Sequence, residues 1–221
     1  MVDKELHYKL AKLSTIAYDQ HTYSSGDVEV FHEIKGGIHF FAIRGTEAAD
    51  FFSGRGFIDV IRDLRVWPRK IGNTKAHAGF VKGYKEIEQY ILTILARDKR
   101  PIILTGHSMG GAIALIAGYS IQKSMGGRLL DVVTFGAPRC IRVGTIEADI
   151  LEELKAKTTQ YQHVQDKVPG FLSYTYYEHI DNSFLPYRFK NGPRANWLSR
   201  GYKFHPMKVY LTILAQMSIT A

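Results

Sequence analysis

Gly106-His-Ser-Met-Gly110 carries the clearest chemistry in this 221-residue chain. It matches G-x-S-x-G, and it follows the apolar run Ile102-Ile-Leu-Thr105 and precedes a helical pattern starting near Met109. A serine at so sharp a strand-to-helix turn is held in a strained conformation that projects Oγ above the sheet. The flanking glycines are needed because a Cβ there would strike the neighbouring strand or helix. The Met109 amide, at the positive end of the following helix, faces the oxyanion of an attacked carbonyl. The chemistry is nucleophilic acyl transfer, with Ser108 as nucleophile. His107 leaves the backbone in another direction and is expected to pack beneath the site.

Such a serine needs a base and an acid, which follow it in chain order in this kind of architecture. In a parallel sheet the site lies at the C-terminal ends of the strands. Asp131 precedes its strand and Asp149 falls inside a helical pattern, so both are misplaced. Asp166 comes just after the strand pattern 158–164 and before Val168-Pro169, where a carboxylate can orient an imidazole. Asp181, after Ile180, is the reserve. For the base, position alone leaves two choices. His179 lies in the alternating run Tyr174–Ile180, and His205 opens the last helical pattern.

Several segments in order resemble the class 3 (fungal-type) lipases of the α/β-hydrolase fold: Phe41-Ala-Ile-Arg-Gly-Thr46, His77-Ala-Gly-Phe80, Thr105-Gly-His-Ser-Met-Gly-Gly111, Thr134-Phe-Gly-Ala-Pro-Arg139, Val164-Gln-Asp-Lys-Val-Pro169 and His205-Pro-Met-Lys-Val-Tyr210. The elbow alone occurs in many serine hydrolases, but the combination is far more specific and spans about residues 28–210. The resemblance implies Asp166 as acid and His205 as base, since a tyrosine such as Tyr210 shortly follows the family's histidine and a strand histidine such as His179 is not catalytic. It implies a second oxyanion donor at Thr46, through its amide and hydroxyl, and a structural role for His77. Two departures stand out: Phe204 occupies a position that is often Asp, and the stretch from Asp166 to His205 is short. The implied activity is a serine carboxylester hydrolase acting on acyl esters of lipids. Its rivals are a phospholipase or thioesterase on the same triad, or a non-catalytic hydrolase-fold protein that binds membranes or partners.

The elements that must position these residues follow from periodicity. Helical spacing marks residues 2–16, 80–97, 109–123 and 146–157, and a last helix from His205. Strand patterns mark 28–34 and 38–44, joined at Lys35-Gly-Gly37, then 102–105, 132–135, 158–164 and 174–180. Strands alternating with helices predict an α/β fold with a mostly parallel sheet flanked by helices, as one domain over 1–221. Residues 47–75 show no clean period. Within them, Phe51, Phe52, Phe57 and Ile58 beside Gly54 and Gly56 suit a short lid over an acyl pocket, about 47–63.

Charge and composition bound the rest. Lys and Arg number 29 against 21 Asp and Glu, a net charge of +8. Residues 182–221 hold six cations and no acid. Together with Arg62, Arg65, Arg69, Lys70 and Lys75, that segment suits contact with an anionic membrane surface. No nucleic-acid motif is present, so no nucleic-acid partner is expected. No metal-ligand spacing appears, and neither a metal nor a cofactor is expected. No apolar run could span a bilayer. Cys140 is the single cysteine, the first helix reads as a retained amphipathic segment, and a cytoplasmic protein is expected.

Overall fold

The computed structural model describes residues 3–44, 67–170, 177–181, 184–185 and 205–219. Helix α1 (Lys4–Ile16) starts at Asp3, whose carboxylate accepts from the Leu6 amide at 3.0 Å. A seven-stranded sheet follows among the described residues. Strands β1 (Tyr23–Ser25), β2 (Val28–Lys35) and β3 (Ile38–Ile43) are antiparallel neighbours. From β3 onward the pairing is parallel through β6 (Ile102–His107), β7 (Leu129–Phe135), β8 (Thr158–His163) and β9 (Phe184–Leu185). Between them lie helices α2 (Ala78–Arg97), α3 (Met109–Met125) and α4 (Ala148–Ala156), and α5 (Met207–Ile219) ends the chain's described part.

The pleat sorts the apolar side chains onto two faces. Phe41, Ile43, Ile102, Leu104 and Val132 pack on one side with α2, α3 and Leu154 of α4. Their alternates Ala42, Ile103, Val133 and Phe135 pack on the other with α1 and α5. A central parallel strand covered on both faces must be apolar throughout, which explains the unbroken Ile102-Ile-Leu104. All six residues of β6 are buried, so the strand that carries the elbow is held from both sides.

Two elements depart from the sequence expectation. Pro68–Ile71 (β4) and Thr74–His77 (β5) pair as a small antiparallel sheet that begins inside the stretch 47–75, which shows no clean period, and ends just beyond it. Arg69, Lys70 and Lys75 break its apolar alternation, which hid it. Within 174–180, residues 174–176 lie outside the described residues. Glu178 makes only an isolated bridge to Ile141, and the Ile180 and Asp181 amides donate to Gln160 Oε1 at 2.7 and 3.0 Å instead of to a strand. A side chain there replaces the ladder that the alternating pattern suggested.

Candidate active site

Parallel pairing brings the C-terminal ends of β6, β7 and β8 to one edge, and two backbone bonds extend the register beyond the strands. The Ser108 amide donates to the Phe135 carbonyl at 2.9 Å, and the Gly136 amide donates to the Tyr161 carbonyl at 3.0 Å. Ser108 has φ 57° and ψ −127°, and it is the one non-glycine residue with positive φ among those described. Strain of that kind persists only where the surroundings impose it. They do so here: a Cβ on Gly106 would lie 2.6 Å from the Gly110 backbone. A Cβ on Gly110 would lie 2.1 Å from the Ile43 carbonyl oxygen and 2.6 Å from Arg44 C. The end of β3, which leads into Thr46, therefore presses directly on the start of α3 beside the Met109 amide.

The expected acid and base, Asp166 and His205, meet at the same edge. His205 Nδ1–H donates to Asp166 Oδ2 at 2.8 Å, which leaves Nε2 as the basic nitrogen. The Tyr210 hydroxyl donates to the same oxygen at 2.7 Å, and the Val168 amide donates to Oδ1 at 2.9 Å. Burial, followed by the nearby carboxylate, holds the Tyr210 phenol well above its usual range, so it stays a donor. Gly136, at φ 60°, closes the underside: a Cβ there would sit 3.0 Å from both Asp166 Oδ2 and the Tyr210 oxygen. Ser108 Oγ is buried and has no hydrogen-bond partner among the described residues. Asp166 and His205 are thus paired, while no hydrogen bond joins Ser108 Oγ to His205 Nε2 in this structure. Catalytic hydrogen bonds often tighten only with substrate bound.

The alternatives are occupied elsewhere. Gln160 Nε2 donates to His179 Nδ1 at 3.0 Å, and His179 Nε2–H donates to the Pro169 carbonyl at 2.8 Å. Asp181 accepts from the Gln160 amide at 3.0 Å. His179 thereby braces the loop after β8 at Pro169, and Asp181 caps β8 at Gln160. Asp131, near the opposite end of β7, pairs with His7 at 3.3 Å. Cys140 is buried, which pushes its thiol up to about 12 and makes it a poor nucleophile. Thr46 and the lid residues Phe51, Phe52, Phe57 and Ile58 lie outside the described residues. Among the described residues, no cluster of His, Cys, Asp and Glu could hold a metal, and no helix is long and apolar enough to cross a membrane.

The buried histidines carry a pH-dependent stability. His77 sits against Phe80 and Tyr177, and neither ring nitrogen has a partner among the described residues. Burial lowers its pKa to about 4. Burial, then the Arg139 charge, lowers that of His179 to about 4 as well, against the Pro169 carbonyl. An unfolded histidine titrates near 6.5, so below that pH the unfolded chain binds protons that the folded chain refuses. Stability is therefore full above about pH 6.5 and falls by a few kcal/mol as pH drops toward 4. Urea midpoints at pH 7 and 4.5 should show this, and His77→Phe should shrink the difference. An unchanged difference in that variant would remove His77 from the account.

An elbow serine on a mostly parallel sheet, with an acid after a later strand and a histidine before the last helix, is the α/β-hydrolase arrangement. The chain belongs to the class 3 lipases, whose family model, Lipase (class 3), matches residues 40–175, more than half its length. It is 29% identical over 145 residues to a secreted mono- and diacylglycerol lipase 2 of Gibberella zeae, covering 63% of this chain and 32% of that protein. Over 112 residues it is 32% identical to Lipase A of Sodiomyces alcalophilus, covering 44% of this chain and 27% of that one. The chain thus spans about a third or less of the length of these relatives. Among solved structures, the LIP2 lipase of Yarrowia lipolytica superposes with a TM-score of 0.62 at 21% identity, covering 90% of this chain and 84% of that one.

The comparisons overturn the cytoplasmic expectation. The relatives from Gibberella zeae and Fusarium solani are both named as secreted, which points away from the cytoplasm. A lone cysteine shows only that no internal disulfide forms, and an amphipathic first helix does not report a compartment.

Proposed function

We propose that the chain is a serine carboxylester hydrolase of lipase type that cleaves acyl esters of lipids through an acyl-enzyme. The observation that supports this best is the strained Ser108 on the same sheet edge as the 2.8 Å Asp166–His205 pair. In this reading Ser108 Oγ attacks the ester carbonyl while His205 Nε2 takes its proton. Asp166 holds the imidazole by Nδ1 and stabilises the imidazolium. The Met109 and Thr46 amides hold the oxyanion, His205 returns the proton to the leaving alkoxide, and water then repeats the sequence on the acyl-enzyme. Release of p-nitrophenol from a dissolved butyrate ester, and of fatty acid from mono- and diacylglycerols, tests the reading. A folded chain that releases neither would refute it.

A phospholipase reading draws support from one relative, the chloroplastic phospholipase A1-Igamma2 of Arabidopsis thaliana, 37% identical over 76 residues covering 31% of this chain and 14% of that one. The exposed cations Arg69, Lys70 and Lys75 of the β4–β5 hairpin suit an anionic surface. Fatty-acid release from anionic phospholipid vesicles, compared with diacylglycerol emulsions, separates the two.

Ser108 is buried, and the reading includes a cover that opens for an ester. The apolar cluster in 47–63 supports a lid in that role. Phe52→Ser should weaken hydrolysis of emulsified or vesicle lipid several-fold while leaving a dissolved butyrate ester nearly unaffected. Equal loss on both substrates would discard the lid.

A further inference from the structure

The residue before the nucleophile has a place in the site that the acyl-transfer scheme does not use. His107 is buried at the end of β6, and both ring nitrogens are engaged. Its Nε2 lies 2.7 Å from the His205 carbonyl oxygen. A carbonyl can only accept, so Nε2 carries the hydrogen. Its Nδ1, 2.8 Å from the Tyr18 hydroxyl, is then the acceptor. Tyr18 follows α1 and lies 89 residues from His107 in the chain. The guanidinium of Arg44, paired with Glu29, lies 5.7 Å from the Tyr18 ring centroid. The His107 and His205 rings are 4.5 Å apart between centroids, tilted by 32°.

The base is thereby held at two points. Asp166 fixes its ring through Nδ1, and His107 fixes its backbone through the carbonyl. The second hold has a reason: His205 stands two residues before α5, and the first turn there is closed by the Val209 amide on the Pro206 carbonyl. The His205 carbonyl lies outside that bond and takes the imidazole instead. The identity of the neighbouring ring also matters. His205 becomes an imidazolium during acyl transfer, and a second positive ring at 4.5 Å would oppose that charge. Burial, then the proximity of His205, keeps His107 neutral, with its pKa well below the usual histidine range.

We propose that His107, with Tyr18 as its hydrogen-bond donor, is a positioning residue for the base, its Nε2–H anchoring the His205 backbone while its neutral ring lies against the base's imidazole. The proposal rests on the hydrolase reading above. It makes the segment after α1 part of the catalytic support.

The test combines kinetics with a measurement that needs no turnover. In the full chain, His107→Leu should lower kcat on the dissolved butyrate ester about 10²-fold, the scale of a small misplacement of a reacting group. KM should stay within about twofold, because the lost support acts on the base and not on substrate binding. His107→Gln, whose Nε2–H₂ can reach the same carbonyl, should recover about tenfold of that loss. Tyr18→Phe should cost about fivefold. Nitrogen-15 NMR of the histidine-labelled wild-type chain should show His107 as the Nε2–H tautomer, and Tyr18→Phe should weaken that preference. Wild-type kcat in His107→Leu would overturn the proposal. So would equal losses in the Leu and Gln variants at equal Tm, or an Nδ1–H tautomer in the wild type. If the intact chain turns over no ester although the tautomer is as expected, the hydrolase reading fails and the catalytic role of the anchor falls with it.

Discussion

Ser108→Ala and His205→Ala are each expected to lower kcat on a dissolved nitrophenyl ester by about 10⁶-fold, and the double variant should be no worse than either. Without Oγ there is nothing to acylate. Without the imidazole nothing takes the proton, so one loss makes the other group useless. Asp166→Asn should cost about 10⁴-fold. Its amide cannot stabilise the imidazolium, and both Oδ2 donors, His205 Nδ1–H and the Tyr210 hydroxyl, would compete for one oxygen. His179→Ala should stay within about tenfold of wild type, since its partners are Gln160 and the Pro169 carbonyl. Steady-state kinetics of the five variants with matched circular dichroism spectra would check this. Activity that survives in His205→Ala and disappears in His179→Ala would reverse the assignment of the base.

Gly110→Ala is expected to be the most damaging glycine substitution in the elbow. Its Cβ would lie 2.1 Å from the Ile43 carbonyl oxygen and 2.7 Å from that of Arg44. Both obstacles are backbone, so no rotamer change relieves them. The cost should be about 3 kcal/mol or more, seen as a fall in Tm of about 6–12 °C for a chain of this size. Relief would come only by pushing the end of β3 away from α3, which separates the segment leading to Thr46 from the Met109 amide. The folded fraction should therefore also lose about 10²-fold in kcat, the scale of one oxyanion donor. Gly83→Ala is the control. Its Cβ would meet the Ile113 Cδ1 methyl at 2.7 Å, the movable end of a side chain. That variant should be far milder in Tm and unchanged in kcat. A Gly110→Ala chain as stable and active as Gly83→Ala would contradict the packing described for the elbow.

What could be read from the sequence was what short-range pattern encodes. The elbow is local: an apolar strand, a serine between glycines, and a helix, all within about twenty residues. Asp166 stands out as candidate acid because it combines the end of a buried strand with a following break. For the candidate base the residues alone leave a choice, because His179 and His205 both stand near element ends. What separates them is partners far off in sequence. Gln160 engages His179 from 19 residues away, and Asp166 engages His205 from 39. The support of His107 by Tyr18 lies beyond any periodicity for the same reason. Residues 174–180 alternate as a strand does, yet the amides of Ile180 and the neighbouring Asp181 go to Gln160, which no binary pattern reports. The β4–β5 hairpin escaped notice because its charged residues carry no apolar period. Compartment was misread because composition has no term for it.

The central claim is that Ser108 is an activated nucleophile, and covalent labelling tests it most directly. A fluorophosphonate probe is attacked only by a serine whose proton is taken by a neighbouring base. Incubation of the folded chain with the probe, followed by peptide mass spectrometry, should give one adduct, on Ser108. Labelling should vanish in Ser108→Ala and slow sharply in His205→Ala. No adduct on a folded chain, or an adduct on another residue that persists in Ser108→Ala, would contradict the account.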